Sequence, residues 1–152
     1  MVRLISMMTT GCLILCLVGC GGDGLDRVPI QGVVKAQGVP VPNAIVQFTP
    51  KAGTPGEGAI GQSDAEGKFT VISSRQDDAG VPPGSYGVRV SLMIDGKGKF
   101  LPRDYLQADY PDAKEAIPAP YSLPTSPIEI TIDAKGGEVA VDIPVKIAAL
   151  KK

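Results

Sequence analysis

Glycine and proline divide the chain into short segments throughout, and this feature constrains the fold more than any other. The sequence holds 19 Gly and 14 Pro in 152 residues. Proline interrupts helices because it lacks a backbone N–H and clashes with the preceding turn, and glycine weakens the interiors of helices and strands. Regular elements between these residues must be short, so the sequence favours strands joined by turns over long helices.

Apolar and polar residues alternate between these breaks, as expected for strands with one buried face. In the clearest case, residues 86–94, every second side chain is apolar: Tyr86, Val88, Val90, Leu92 and Ile94. The sequence predicts further strands at 30–36, 44–49, 59–63, 69–73, 128–133 and 139–146. Seven short strands of this kind predict an all-β fold, a seven-stranded antiparallel β-sandwich.

Turn-forming residues separate the predicted strands. Residues 64–67 begin with Asp64 and end with Gly67, the order typical of a type I turn that closes with a left-handed residue. Residues 135–137, Lys-Gly-Gly, are expected to form the tip of a hairpin between the last two strands.

The segment 95–127 differs from the rest, because it holds six prolines and three of the four tyrosines: Tyr105, Tyr110 and Tyr121. We expect this long connection to pack across the sandwich and to cover a sheet edge. A binding loop is the alternative, and a pocket lined by the three tyrosines would favour it.

The first twenty residues are organised like a secretory signal. Arg3 precedes an apolar stretch that extends to Val18. Residues 17–20, Leu-Val-Gly-Cys, resemble the lipobox of bacterial lipoprotein precursors. That resemblance implies cleavage between Gly19 and Cys20, followed by attachment of a diacylglyceryl lipid to Cys20.

The other two cysteines fit a lipid attachment site less well. Cys16 follows the bulky Leu15, and too little apolar sequence precedes Cys12. The alternative to a cleaved signal is an uncleaved membrane anchor, because the apolar stretch 4–22 nearly reaches the ~20 residues that span a bilayer. The predicted organisation is a lipoprotein signal peptide (1–19), a flexible tether (20–28), a β-sandwich (29–147) and a C-terminal tail (148–152).

The composition excludes several kinds of chemistry from the folded part. The chain has no His, and its three Cys all lie in the first twenty residues. Catalysis by Ser-His-Asp or Cys-His groups and the usual His-bearing zinc sites are therefore excluded. The formal net charge is −1, which does not suit nucleic-acid binding. We expect no catalytic residues, no cofactor and no metal.

Three residue patterns suggest chemistry that their context does not support. Residues 56–61 have the spacing G-x-G-x-x-G, but strand and turn sequence follows them instead of the helix that a dinucleotide site needs. An isopeptide bond from Lys35 to Asp142 or Asn43 requires a dry setting, and we expect these residues to be exposed. A calcium site needs six to eight converging oxygens, and the acids concerned are expected to be solvated: Asp64, Glu66, Asp77 and Asp78.

Four segments occur in an order that resembles the carboxypeptidase regulatory-like domain: Gln-Gly-Val-Val (31–34), Val-Pro-Asn-Ala-Ile-Val-Gln-Phe (41–48), Ser-Asp-Ala-Glu-Gly-Lys-Phe (63–69) and Pro-Gly-Ser-Tyr-Gly-Val (83–88). Residues 117–121 and 126–128 look like the ending of the lipoprotein version common in planctomycete bacteria. The resemblance implies a transthyretin-like (prealbumin-like) sandwich of seven strands that serves as an accessory module and has no catalytic apparatus.

The sequence thus predicts a lipid-anchored, extracytoplasmic structural or protein-interaction module of the cell envelope, without enzyme activity. Its expected partners are the inner or outer membrane, through the lipid on Cys20, and other envelope proteins or glycans. Two alternatives stay open: a lipoprotein that binds a small molecule or glycan through 95–127, and a hydrolase built on carboxylates.

Overall fold

The computed structural model describes residues 24–74 and 80–150, and all regular structure in these ranges is β-strand. The strands, numbered in chain order, are β1 (Ile30–Ala36), β2 (Val39–Pro40), β3 (Ile45–Pro50), β4 (Ala59–Gln62), β5 (Lys68–Thr70), β6 (Ile72–Ser73), β7 (Gly84–Ser91), β8 (Met93–Ile94), β9 (Lys114–Glu115), β10 (Ile128–Ile132) and β11 (Gly137–Ile143). The prediction of an all-β fold is confirmed. In the same two ranges there is no helix that could cross a bilayer.

Two larger sheets enclose the core. In the four-stranded sheet, β1 pairs with β11, β2 and β5. The five-stranded sheet has the order β10-β7-β3-β4-β6, and β8 and β9 form a separate pair. Side chains from both larger sheets belong to one hydrophobic cluster, which includes Val34, Phe48, Tyr86 and Ile143. The alternation predicted for 86–94 is confirmed, because its apolar side chains are buried.

The prediction of a purely antiparallel arrangement is wrong, because β1 and β11 run parallel. Ile30 is in register with Gly137, and Ala36 with Ile143. The hairpin predicted at 135–137 is wrong for a related reason. The turn reverses the chain between β10 and β11, but β10 pairs with β7 whereas β11 pairs with β1. Alternation of apolar residues shows which face of a strand is buried and leaves its partner strand undetermined.

Two of the predicted strands are each divided in two. In the segment 69–73 the chain changes sheets at Val71, so that β5 pairs with β1 and β6 pairs with β4. In 86–94 the division falls at Leu92, whose backbone N–H donates to the Glu115 carboxylate (2.8 Å). A side chain from a distant segment thus accepts from an N–H that a regular strand would offer to a neighbouring strand. The alternation of apolar residues in the sequence continues across this break and does not reveal it.

The turn predicted at 64–67 is confirmed, and the same design occurs twice more. The N–H of Gly67 donates to the Asp64 carbonyl (3.1 Å), and Gly67 has a left-handed φ of 76°. Equivalent backbone bonds join Gly98 to Asp95 and Gly136 to Asp133. At Asp95 the side chain also accepts hydrogen bonds from the backbone of Lys99 and Lys97. These bonds favour the ionised carboxylate and lower the pKa of Asp95.

One aromatic ring packs into space that two strand glycines leave open. A Cβ on Gly32 of β1 would lie 2.5 Å from Cζ of Phe69, and a Cβ on Gly61 of β4 would lie 2.9 Å from its Cδ2. Both distances are well inside the ~3.5–4.0 Å at which carbon atoms attract one another. Phe69 is only 4% exposed. The absence of side chains at Gly32 and Gly61 therefore lets this ring enter the core.

The domain has two distinct ends. The chain enters at an end that we call the tether pole (residues 24–29, 80–85 and 133–137). There Val28 donates its N–H to the Val81 carbonyl (2.9 Å), and Gly137 donates to the Pro29 carbonyl (3.1 Å). The opposite end is the distal pole (residues 36–45, 91–106 and 143–150). The seven residues of β1 separate the two poles by about 20 Å at ~3.3 Å per residue.

Candidate ligand-binding site

A concavity of about 290 Å³ lies on the outer face of the five-stranded sheet at the distal pole. Strands β3, β4 and β7 form its floor, and four residues of the segment 95–127 form its wall: Leu101, Pro102, Arg103 and Tyr105. We call it the arginine pocket, because Arg89 of the floor and Arg103 of the wall both line it. Pockets that bind small ligands are typically concave and largely apolar, with a few convergent polar groups.

The two-residue period of a β-strand determines which side chains form the floor of the pocket. In β7, Val88 and Val90 point into the core, so Arg89 and Ser91 project outward between them. Ile45 and Gln47 do the same in β3. The alternation that builds the core therefore also collects these outward side chains on one surface. The pocket further includes apolar groups from both sides: Ile45, Ile60, Met93, Leu101 and Pro102.

A neighbouring strand fixes the orientation of the Arg89 guanidinium. Arg89 and Gln47 are cross-strand partners in the register of β7 and β3. Both Nε (2.9 Å) and Nη2 (2.6 Å) of Arg89 donate to Oε1 of Gln47. These bonds use two of the five N–H donors of the guanidinium, and the other three are unused among the described residues. Arg89 is thus a half-buried cation, held in place, with donors available for a ligand.

Glu115 fastens the segment 95–127 to the sheet beside the pocket. Its Oε2 accepts from Oγ of Ser91 (2.6 Å), and its Oε1 accepts from the backbone N–H of Leu92 (2.8 Å) and Ile117 (2.9 Å). Both carboxylate oxygens therefore have donors already. Glu115 is not one of the residues that line the pocket, and the lining contains no Asp or Glu.

The same segment covers part of an edge of the five-stranded sheet, as expected from the sequence. Strand β10 pairs with β7 only as far as Val88. Beyond this point Val90 donates its N–H to the Tyr121 carbonyl (3.0 Å), and Ala116 donates to the Leu92 carbonyl (2.9 Å). These bonds use backbone groups that a sheet edge would otherwise expose.

The three tyrosines of the segment do not line one pocket. Tyr105 lines the arginine pocket and meets Tyr110 edge to face, with ring centroids 6.1 Å apart and an interplanar angle of 74°. Tyr110 is not part of the lining, and Tyr121 packs against the hydrophobic core instead. None of the three concavities described here is lined by all three tyrosines, and a different set of residues forms the site.

Two larger concavities lie elsewhere on the surface of the domain. One, of about 920 Å³, lies along the outer face of the four-stranded sheet. It includes Lys35 and Asp142, which are partners in the register of β1 and β11 and are both exposed, as expected. The other, of about 780 Å³, lies at the distal pole between the residues near Phe100 and those near Leu150.

The remaining sequence candidates lie in ordinary strands and turns. Residues 56–61 lead into β4, so the glycine spacing there does not open a helix. Asn43 is exposed in a turn with a φ of 57°. Asp64 and Glu66 are exposed in their turn, whereas Asp77 and Asp78 lie outside the described residues. Within residues 24–74 and 80–150, no three acidic, His or Cys side chains are grouped as metal ligands would be.

The predicted cleavage and attachment residues, Gly19 and Cys20, lie outside the described residues, as does the whole signal peptide (1–19). Arg89 and Arg103 are not among the site residues predicted from the sequence. The one signal for Arg89 was its outward position in an alternating strand, which is shared by many solvated residues. No local motif marks Arg103.

No protein-family model matches this chain, and searches of curated proteins and of solved structures also found no match. The function must therefore be inferred from the residues and from the geometry of the fold.

Proposed function

We propose that this chain is a lipid-anchored, extracytoplasmic module of the cell envelope with a structural or protein-binding role. Its domain would be a seven-stranded sandwich of the carboxypeptidase regulatory-like type. Strands β1, β3, β4, β5 with β6, β7, β10 and β11 fall where the sequence predicts seven strands. The anchor is supported by the Leu-Val-Gly-Cys sequence at 17–20, which follows an apolar stretch.

The observation that carries the proposal is that the chain enters the domain at one end and the arginine pocket lies at the other. The chain enters the described domain at residue 24, at the tether pole. A lipid on Cys20 would therefore hold this pole next to the membrane, with the glycine-rich residues 21–24 as a short linker. The distal pole, with the arginine pocket and the turn at 95–99, would then face away from the membrane, where partners in the envelope can reach it.

The side-chain chemistry supports a module over an enzyme. The chain has no imidazole, and its thiols are confined to residues 12, 16 and 20, so the folded strands offer neither of these common catalytic groups. The two acyl chains of one diacylglyceryl group would hold the domain stably at a membrane, because each buried methylene contributes ~0.8 kcal/mol and a single chain binds only marginally.

Metabolic labelling with a radioactive fatty acid tests the anchor. Wild type and Cys16→Ala should incorporate the label, whereas Cys20→Ala, which has no thiol at the attachment site, should not. Cys16→Ala is the matched control, since it removes a thiol four residues away within the same apolar stretch. Equal labelling of Cys20→Ala and wild type, or no labelling of any form, would refute the proposal.

A second candidate function is the binding of a small molecule or glycan through the segment 95–127. The observation that favours it is the arginine pocket, whose wall is formed by four residues of that segment. This function is compatible with the first, because a module displayed at the membrane can hold a ligand at its distal pole.

A further inference from the structure

We propose that the arginine pocket binds a small organic oxyanion, a carboxylate or a phosphate ester, whose body packs against the apolar wall. The proposal rests on the second candidate function, for which it names the ligand class, and it is independent of the lipid anchor. A molecule that lacks the anionic group should bind far more weakly or not at all.

The charge of the lining selects the sign of the ligand. Arg89 and Arg103 are the two charged residues among those that line the pocket, and both are cationic. Glu115, whose carboxylate is bonded to Ser91 of the lining, already accepts three hydrogen bonds, from Ser91, Leu92 and Ile117. The cationic pair is therefore not neutralised within the lining, and an anion would supply the missing charge.

The geometry of Arg89 selects the type of anion. Gln47 accepts from Nε and from one Nη2 hydrogen, which are the donors on the side of the guanidinium. The second Nη2 hydrogen and both Nη1 hydrogens are left, and one hydrogen from each of these two nitrogens points along the end of the fork. Two parallel N–H groups on one planar fork match the two oxygens of a carboxylate or phosphate.

Arg103 is available for the same ligand. It is exposed and makes no hydrogen bond or ion pair with the part of the chain that the structure describes. A side chain that is not engaged elsewhere can turn toward a bound anion without breaking an existing contact. It projects from the wall, so the two guanidinium groups approach the ligand from different elements.

The rest of the lining fits a small, partly apolar body. A volume of about 290 Å³ is at the small end of the ~300–1,000 Å³ typical of ligand pockets. Tyr105 offers an aromatic ring, Met93 and Leu101 offer apolar surface, and Asn43 can both donate and accept hydrogen bonds. A six-membered sugar ring with one anionic substituent has groups for all of these contacts.

Met93 provides a spectroscopic reporter within the pocket itself. The other methionines of the sequence are at 1, 7 and 8. In the full chain purified in detergent and labelled with ¹³C-methyl methionine, the Met93 resonance is identified as the signal that Met93→Leu lacks. Three probes share one ring: glucuronate carries a carboxylate, glucose 6-phosphate carries a phosphate, and glucose carries no charge.

We expect glucuronate or glucose 6-phosphate to shift the Met93 methyl signal in a saturable way, and glucose not to shift it. The probe that binds more tightly distinguishes a carboxylate site from a phosphate site. Arg103→Gln should raise the dissociation constant at least about tenfold, since hydrogen bonds to charged groups are the strong ones. Arg89→Gln should do the same, whereas Lys135→Gln, which removes a positive charge at the tether pole, should leave it unchanged.

Three outcomes would overturn the inference: no shift with either anion up to ~10 mM, an equal shift with glucose, or unchanged binding by both Arg variants. Arg103 lies on an exposed part of the wall, so Arg103→Gln tests binding even if Arg89→Gln disturbs β7. The fatty-acid labelling of Cys20 is a separate measurement, and its failure would leave this binding test intact.

Discussion

Replacing Gly32 with alanine tests how the Phe69 ring packs over β1. Its Cβ would lie 2.5 Å from Cζ of Phe69 and 2.7 Å from the carbonyl oxygen of Val139 in β11. The first contact is about 1 Å shorter than the carbon–carbon optimum. The second is with backbone, so relief requires both a shift of the ring and a displacement of β11 from β1.

The Cγ2 methyl of Val139 would add a third clash, at 2.8 Å, and the expected cost in the free energy of unfolding follows from all three. Overpacking of a well-packed core costs typically about 1–3 kcal/mol. Gly87→Ala is the matched control, because Gly87 also lies within a strand and its added Cβ would meet only the Thr49 carbonyl oxygen, at 4.0 Å. That substitution should be neutral or stabilise by up to ~1 kcal/mol, since alanine restricts the unfolded chain. The two variants should therefore differ by about 2 kcal/mol in the free energy of unfolding.

Urea denaturation followed by far-ultraviolet circular dichroism measures this difference, with unchanged slopes as the sign that both variants unfold as wild type does. Phe69→Leu provides the second arm. If the ring causes the clash, combining it with Gly32→Ala should cost less than the sum of the two single changes. Equal urea midpoints for Gly32→Ala and Gly87→Ala, or strictly additive costs with Phe69→Leu, would refute the packing described for this ring.

Two further predictions concern a buried hydroxyl and the orientation of the domain. The Tyr86 hydroxyl is buried and donates to the Pro82 carbonyl (2.7 Å); burial raises the pKa of Tyr86, opposed by the nearby Arg27 cation. Folding therefore favours the neutral hydroxyl. The contribution of the neutral Tyr86 hydroxyl to the free energy of unfolding is complete below pH ~10 and is lost as the pH rises through the pKa of the folded state. Tyr86→Phe should lower the free energy of unfolding by about 1 kcal/mol at pH 7 and should make its decrease above pH ~10 less steep. Urea titrations that show an equally steep alkaline decrease for both forms would contradict this. The orientation can be tested with fluorophores attached to Lys97→Cys and to Lys135→Cys in the vesicle-bound protein. Spin-labelled lipids should quench the fluorophore at the tether-pole position 135 more than the one at position 97. Equal quenching, or the reverse order, would contradict the proposed display of the distal pole.

The faces of the strands could be predicted from the sequence, and their partners could not. Burial has a period of two residues in a strand, so an alternation such as that of 86–94 identifies a buried face directly. Pairing depends on contacts between residues far apart in the chain. The parallel register of β1 with β11 joins Ile30 to Gly137, and no local pattern encodes it. The change of sheet at Val71 is hidden for the same reason, because its buried side chain continues the alternation.

The turns were predictable because their chemistry is local. The Asp at the first position of 64–67 accepts backbone hydrogen bonds from Glu66 and Lys68, within four residues of itself. The glycine at the fourth position supplies the left-handed conformation at no steric cost. The turn at 64–67 was predicted from this order, and the same Asp-x-x-Gly order at 95–98 and 133–136 produces equivalent turns in the structure.

The arginine pocket could not be predicted from the sequence because its two cations come together only through the long connection. Arg89 and Arg103 are separated by the turn that Asp95 stabilises, after which residues 101–105 come to lie over the outer face of β7. Glu115 then fastens the returning chain to Ser91 and Leu92. The edge-covering and binding roles of the segment 95–127 are therefore linked, since the bonds that hold it on the sheet also place the wall of the pocket. Loss of the Glu115 contacts should loosen both, so a ligand of the pocket would in turn stabilise the segment against local opening.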